Sequence, residues 1–264
     1  MSVEKQFRKI RKEWNQGKYR GTVRLVSACA ATACIVLLGS YYFRGKQAEG
    51  EIDSLRTKKE EAIAQGDDGR TLDIADQTVM STYRDLFLEN PDLIGWLTID
   101  GTTVDYPVMW TPEDPEFYSD HGFDRAESQN GLLFLDGSSN INESGGNLIV
   151  YGHNMKNGSM FADLLNYREE SYWEAHRTIQ FDTLYESRTY EIASVAEANE
   201  LELLPYGFTY ASEEDCEEAV ANMRAIEYYD TGVSLEYGDD FLTLSTCDYS
   251  EEDGRLVVMA KRVD

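Results

Sequence analysis

Three residues that can together perform acyl transfer stand at the ends of apolar, strand-like runs. Cys247 closes FLTLSTC, His153 follows NLIVYG, and Arg255 opens RLVVMAKRV. A thiolate can attack a carbonyl carbon, an imidazole can carry protons to and from nitrogen, and a guanidinium can hold a developing oxyanion. Spacing does not show that the three converge; an inert cysteine, a loop histidine and a surface arginine fit it equally. Only two further histidines occur. His121, in FYSDHGFD, lies in a loop, and His176, in SYWEAHRTIQF, at a helix end; both are expected to be structural or solvated, bonded to a backbone or carboxylate partner. No His-Cys cluster has ligand spacing, and the many Asp and Glu read as a solvated surface. Neither a metal nor another cofactor is expected. Trp96, Trp110 and Trp173 are expected in packing rather than in a ligand platform.

The elements that must carry these side chains are short strands. Candidates cover residues 95–100, 102–109, 131–136, 147–152, 178–183, 188–198, 241–246 and 255–263. Asp100-Gly101, Asp136-Gly137, Gly145-Gly146 and Asp253-Gly254 supply turn chemistry between most of them. Eight such strands predict a mainly β fold with added helices, built as a closed barrel with helices inserted in the longer connections. A helix is predicted over Leu72–Asn90 from the spacing of Ile74, Val79, Tyr83, Leu86 and Phe87, with Pro91 as its stop. Another is predicted around Cys216, with Ala219, Val220, Met223 and Ile226 on one face. A Cys216–Cys247 disulfide is the alternative for that pair, but a helix face and a strand end do not favour it.

Charge is distributed unevenly along the 264 residues. Residues 1–44 carry nine basic groups against two acidic ones, and the remainder fifteen against forty-seven, for a net formal charge of −25. So acidic a body is a poor nucleic-acid binder; neutral or cationic partners suit it. Between Arg24 and Arg44 the nineteen residues from Leu25 to Phe43 carry no charge. A helix of that length, at about 1.5 Å per residue, covers roughly the 30 Å apolar core of a bilayer. No small-residue cleavage site follows, Tyr41 and Tyr42 fall where an interfacial aromatic belt belongs, and eight of the nine basic groups precede the span. The expected arrangement is a basic cytoplasmic tail (1–24), an uncleaved single-pass transmembrane helix (25–43), a polar stalk (44–70) and an extracellular domain (71–264). A buried core helix is the other reading of the apolar run.

The blocks ENPDLIGWLTIDGTTVDYPVM (Glu89–Met109), GLLFLDGSS (Gly131–Ser139), NLIVYGHNMKNGSMFADLLNY (Asn147–Tyr167) and TLSTC followed by RLVVMAKR resemble the sortases, specifically those of class B in Gram-positive bacteria. The resemblance implies a sortase-like eight-stranded barrel acting as a cysteine transpeptidase. It would cut a C-terminal sorting signal of secreted proteins, of NPxTx kind, after Thr, and join the acyl group to a peptidoglycan precursor or cross-bridge amine. It further implies Cys247 as nucleophile, His153 as general acid/base and Arg255 as oxyanion holder, with Lys261 and Arg262 as competing basic candidates. Ser245 and Asp248, which flank the nucleophile, are implied to contact substrate. Rival expectations are a pilin polymerase using a Lys amine, a non-catalytic surface module, and a papain-like hydrolase. The last would place its cysteine at a helix N-terminus rather than on a strand.

Overall fold

The computed structural model describes residues 3–15, 17, 20–67, 71–74, 77–199, 212–248 and 254–264. In chain order the helices are α1 (Val3–Asn15), α2 (Arg20–Ala62), α3 (Arg84–Glu89), α4 (Glu170–Ala175) and α5 (Glu213–Ile226). The strands are β1 (Thr71–Ile74), β2 (Gln77–Met80), β3 (Leu93–Thr98), β4 (Asp105–Met109), β5 (Leu133–Leu135), β6 (Asn147–Tyr151), β7 (Thr178–Thr183), β8 (Ser187–Asn199), β9 (Phe241–Asp248) and β10 (Gly254–Arg262).

β3 to β10 close into an eight-stranded barrel in the order β10-β8-β7-β3-β4-β5-β6-β9. The pairs β4–β5 and β6–β9 are parallel and the other pairs antiparallel. Closure pairs every barrel strand on both sides and leaves no open sheet edge. Period-two burial is plain in β7, where Ile179, Phe181 and Thr183 are buried between less buried neighbours. β3 is buried on both faces, because its outer face is itself covered. Trp96 there stacks on Tyr83 at 6.4 Å and lies under the Lys59 ammonium, 4.5 Å from the ring centroid.

The cover on that face is the C-terminal part of α2. Ala48, Ile52 and Leu55 recur at helical spacing and are all buried. Lys59 Nζ donates to Asp105 Oδ1 at 2.6 Å, Trp96 Nε1 donates to the same oxygen at 2.6 Å, and Arg56 Nε donates to the Asp105 carbonyl at 2.9 Å. Burial works against ionising Asp105, but the hydrogen bonds from Lys59 and Trp96 and the charges of Lys59 and Arg56 outweigh it and hold the carboxyl below its ordinary range. By internal contacts the chain divides into residues 1–47 and 48–264. Within the expected polar stalk (44–70), residues 44–62 are continuous helix, and from Ala48 onward they pack within the barrel's own unit. In the first unit, α2 contains an apolar window long enough to cross a membrane, none of it buried.

The helix expected over Leu72–Asn90 is a misreading. Thr71–Ile74 and Gln77–Met80 form a two-stranded antiparallel hairpin, a 3-10 turn follows at Ser81–Tyr83, and only Arg84–Glu89 is α-helical. The β-branched Thr71, Ile74, Thr78 and Val79 favour extended backbone, and the apparent helical spacing arose because strand, turn and helix each contribute apolar residues to one core. The helix around Cys216 is present as α5, closed at its start by a capping box between Ser212 and Asp215.

Candidate active site

β6 and β9 run parallel with Tyr151 opposite Ser245, so the residues just past β6 emerge beside the end of β9. Three hydrogen bonds stitch the two ends together. Gly152 N–H donates to the Ser245 carbonyl at 3.2 Å, the Gly152 carbonyl accepts from Thr246 Oγ1 at 2.8 Å, and Asn154 Nδ2 donates to the Cys247 carbonyl at 3.1 Å. His153 is thereby carried to the strand end that bears Cys247. On the other side β10 is antiparallel to β9 with Arg255 directly opposite Cys247, a register that puts both side chains on one face. Arg255 Nη1 donates to Cys247 Sγ at 2.9 Å.

Cys247, His153 and Arg255 line one cavity of about 370 Å³, on the scale of a small ligand site. Ser245, buried in β9, contributes to the same wall. Phe134 and Tyr151 form an aromatic side, their centroids 5.5 Å apart, and Glu116 and Asp136 bring carboxylates to the rim. His153 Nε2 lies 2.6 Å from the Ser119 carbonyl. Asp248 ends β9 opposite Gly254; its side chain and the loop after it, residues 249–253, lie outside the described residues. So do residues 200–211, before α5.

The competing cations are elsewhere. Lys261 bonds Ser234 at 3.1 Å, and Arg262 is held by Asp264 at 2.8 Å and Glu186 at 3.1 Å. Cys216 is reduced and buried in α5; desolvation, with Asp239 and Glu217 nearby, raises its thiol and keeps it protonated. Cys247 is likewise free and sits on a strand, not at a helix N-terminus. His121 bonds the Phe117 carbonyl at 2.8 Å and stacks on the Phe117 ring, and His176 bonds the Asp100 carbonyl at 2.8 Å against the Asp100-Gly101 turn. Both fill structural roles. Glu116, Ser119, Phe134, Asp136 and Tyr151 were not singled out from sequence, because they come from segments whose meeting depends on barrel closure. Asn154 stood within the GHN triplet, and its stitch to Cys247 is visible only in three dimensions.

A thiol, an imidazole and a guanidinium at the mouth of one cavity can perform acyl transfer through a thioester. The sortase domain profile matches residues 97–263, which include all three. This chain belongs to the sortase family. Sortase B of Listeria monocytogenes is 30% identical over 255 residues, covering 91% of this chain and 99% of that relative. The solved structure of Clostridium perfringens sortase B is 32% identical, with a TM-score of 0.64 over 69% of this chain and 99% of that one. The Staphylococcus aureus sortase B–substrate complex, at 24% identity, shares the fold with a TM-score of 0.74 over 84% of this chain and 99% of that one. The sortase is of class B, a cysteine transpeptidase of the kind found at cell surfaces. That membership removes the non-catalytic module from consideration, and the strand position of Cys247 in this sortase sets it apart from a papain-like hydrolase.

Proposed function

We propose that this sortase anchors secreted proteins to the cell wall, cutting a C-terminal NPxTx-type signal after Thr and passing the acyl group to a peptidoglycan amine. The observation that carries the assignment of roles is the 2.9 Å contact of Arg255 Nη1 with Cys247 Sγ inside a cavity that also holds His153. The Cys247 thiolate attacks the Thr carbonyl carbon, and the carbonyl π electrons move to oxygen. Arg255, already within hydrogen-bond reach of the sulfur, donates to that oxyanion. His153 as imidazolium gives its proton to the departing amine, the C–N bond breaks, and a thioester remains on Cys247. An acceptor amine then attacks the thioester carbonyl, His153 takes a proton from it, and the C–S bond breaks to free the thiolate. No cofactor enters these steps. Ser245, in the cavity wall, and Asp248, next along β9, are proposed to contact the signal peptide. The strongly acidic composition suits a cationic acceptor.

The membrane reading is proposed on the uncharged run from Leu25 to Phe43 within α2, exposed throughout, with basic residues concentrated before it. The N-terminus would be cytoplasmic and the barrel extracellular. Incubating the full-length protein in detergent with NPxTx, LPxTG and SPxTG peptides, with and without oligoglycine, diaminopimelate or a pilin Lys peptide, tests the chemistry by intact mass. A thioester adduct on wild type and none on Cys247→Ala, discharged by a wall-type amine, is the expected result. Discharge by the Lys peptide alone would transfer the assignment to pilin assembly, and no adduct with any peptide would end the NPxTx reading.

A further inference from the structure

His153 is bonded not to the thiol but to main chain. Its Nε2 lies 2.6 Å from the Ser119 carbonyl, thirty-four residues away in sequence. A carbonyl only accepts, so Nε2 carries the hydrogen and Nδ1 is the nitrogen left to exchange protons. We infer that the Ser119 main-chain carbonyl is the positioning group for His153, filling the role that a carboxylate fills in a Ser-His-Asp triad: it selects the tautomer, orients the ring and stabilises the imidazolium. The inference rests on the proposed acid/base role of His153.

The segment bearing that carbonyl is built to be immobile. Phe117–Ser119 form a 3-10 turn, and the fully buried Tyr118 hydroxyl donates to Asp92 Oδ2 at 2.7 Å while accepting from Asn90 Nδ2 at 2.8 Å. Behind the turn, Leu132 N–H donates to the Tyr118 carbonyl at 2.8 Å. Gly131 backs the carbonyl itself. It has φ +56°, and a Cβ placed there would come 2.3 Å from Ser119 O and 2.6 Å from Tyr118 O. Any side chain at position 131 must push the Ser119 carbonyl, and the bond to His153 goes with it. Gly131 is thus a second positioning residue, acting through Ser119. Among the described residues, the charged or titratable groups sharing the cavity with His153 are Cys247 and Arg255 from β9 and β10, Tyr151 from β6, Glu116 ahead of the turn and Asp136 beyond β5.

The direct test is on the unaltered full-length protein in detergent, labelled with ¹⁵N-histidine. His121→Gln and His176→Gln spectra assign the three rings. At a pH where His153 is neutral, the expected result is the Nε2–H tautomer with its hydrogen slow to exchange; an Nδ1–H tautomer overturns the inference. Gly131→Ala supplies the kinetic test against Gly238→Ala, which has φ +92° but nothing within 4 Å of the added Cβ and so controls for backbone strain alone. With Gly131→Ala, kcat should fall by about tenfold or more with KM nearly unchanged. Equal kcat for the two glycine variants overturns it. An active His153→Ala protein would instead sink the acid/base reading on which it rests.

Discussion

Arg255 and Cys247 face each other across the β9–β10 ladder, the guanidinium 2.9 Å from the sulfur. The sulfur's partner is a permanent cation, and the imidazole of His153 is bonded to the Ser119 main-chain carbonyl. On the proposed mechanism this separates two jobs: Arg255 would meet negative charge at the thiolate and then at the oxyanion, and His153 would handle the amine proton.

Removing the guanidinium should therefore cost transition-state stabilisation more than binding. Arg255→Ala is expected to lower kcat by about 10² to 10³ with a small change in KM, and Arg255→Lys to recover little, since a point charge lacks the planar fork. Steady-state kinetics of peptide cleavage, with intact mass to follow the thioester, checks both.

Gly152 allows β6 to deliver His153 beside β9. A Cβ there would meet Leu133 Cδ2 at 2.4 Å and Phe161 Cδ2 at 2.6 Å, both buried. Gly152→Ala is expected to cost about 1–3 kcal/mol by overpacking and to lower activity together with stability, because the Gly152 bonds to Ser245 and Thr246 must shift. Denaturant unfolding and kinetics on the same sample test this coupling.

Tyr118→Phe removes the hydroxyl that joins Asn90 to Asp92 and leaves a buried amide one acceptor short. The expected loss is about 1–3 kcal/mol. Since Tyr118 precedes Ser119, the variant should also broaden the His153 ring signals in the ¹⁵N spectrum; a spectrum identical to wild type would show that the turn does not depend on this network.

Asp105 gives the fold a pH dependence of known sign. Its folded-state pKa lies below the ordinary value, so its contribution is present above about pH 3.9 and is lost as pH falls through the lower, folded value. The stability difference between wild type and Asp105→Asn should be flat near neutral pH and shrink in acid. Lys59→Met, which strips a partner from the half-buried carboxylate, should cost about 1–3 kcal/mol at neutral pH and less in acid. Chemical denaturation at several pH values measures each difference, and a gap that widens in acid would refute the assignment.

Much of the fold was legible in the chain because strand signals are local. The runs at 178–183, 147–152 and 241–246 became β7, β6 and β9 nearly as read, since alternation in the first and short apolar runs bounded by turn residues in the others report a strand within a few residues. The motifs around Cys247, His153 and Arg255 named the chemistry, because a thiol, an imidazole and a guanidinium have their reactivity wherever they stand. What the chain could not display was contact between distant segments. The 71–80 hairpin was mistaken for helix because its apolar residues answer to a core assembled from elsewhere, and residues 48–62 read as polar stalk because their three buried side chains, Ala48, Ile52 and Leu55, are outnumbered by charges. The cavity wall of Phe134, Asp136 and Tyr151, and above all the Ser119 carbonyl on His153, exist only after the barrel closes. A main-chain oxygen is present at every residue and so leaves no trace in residue type; only tertiary structure decides which one a histidine meets.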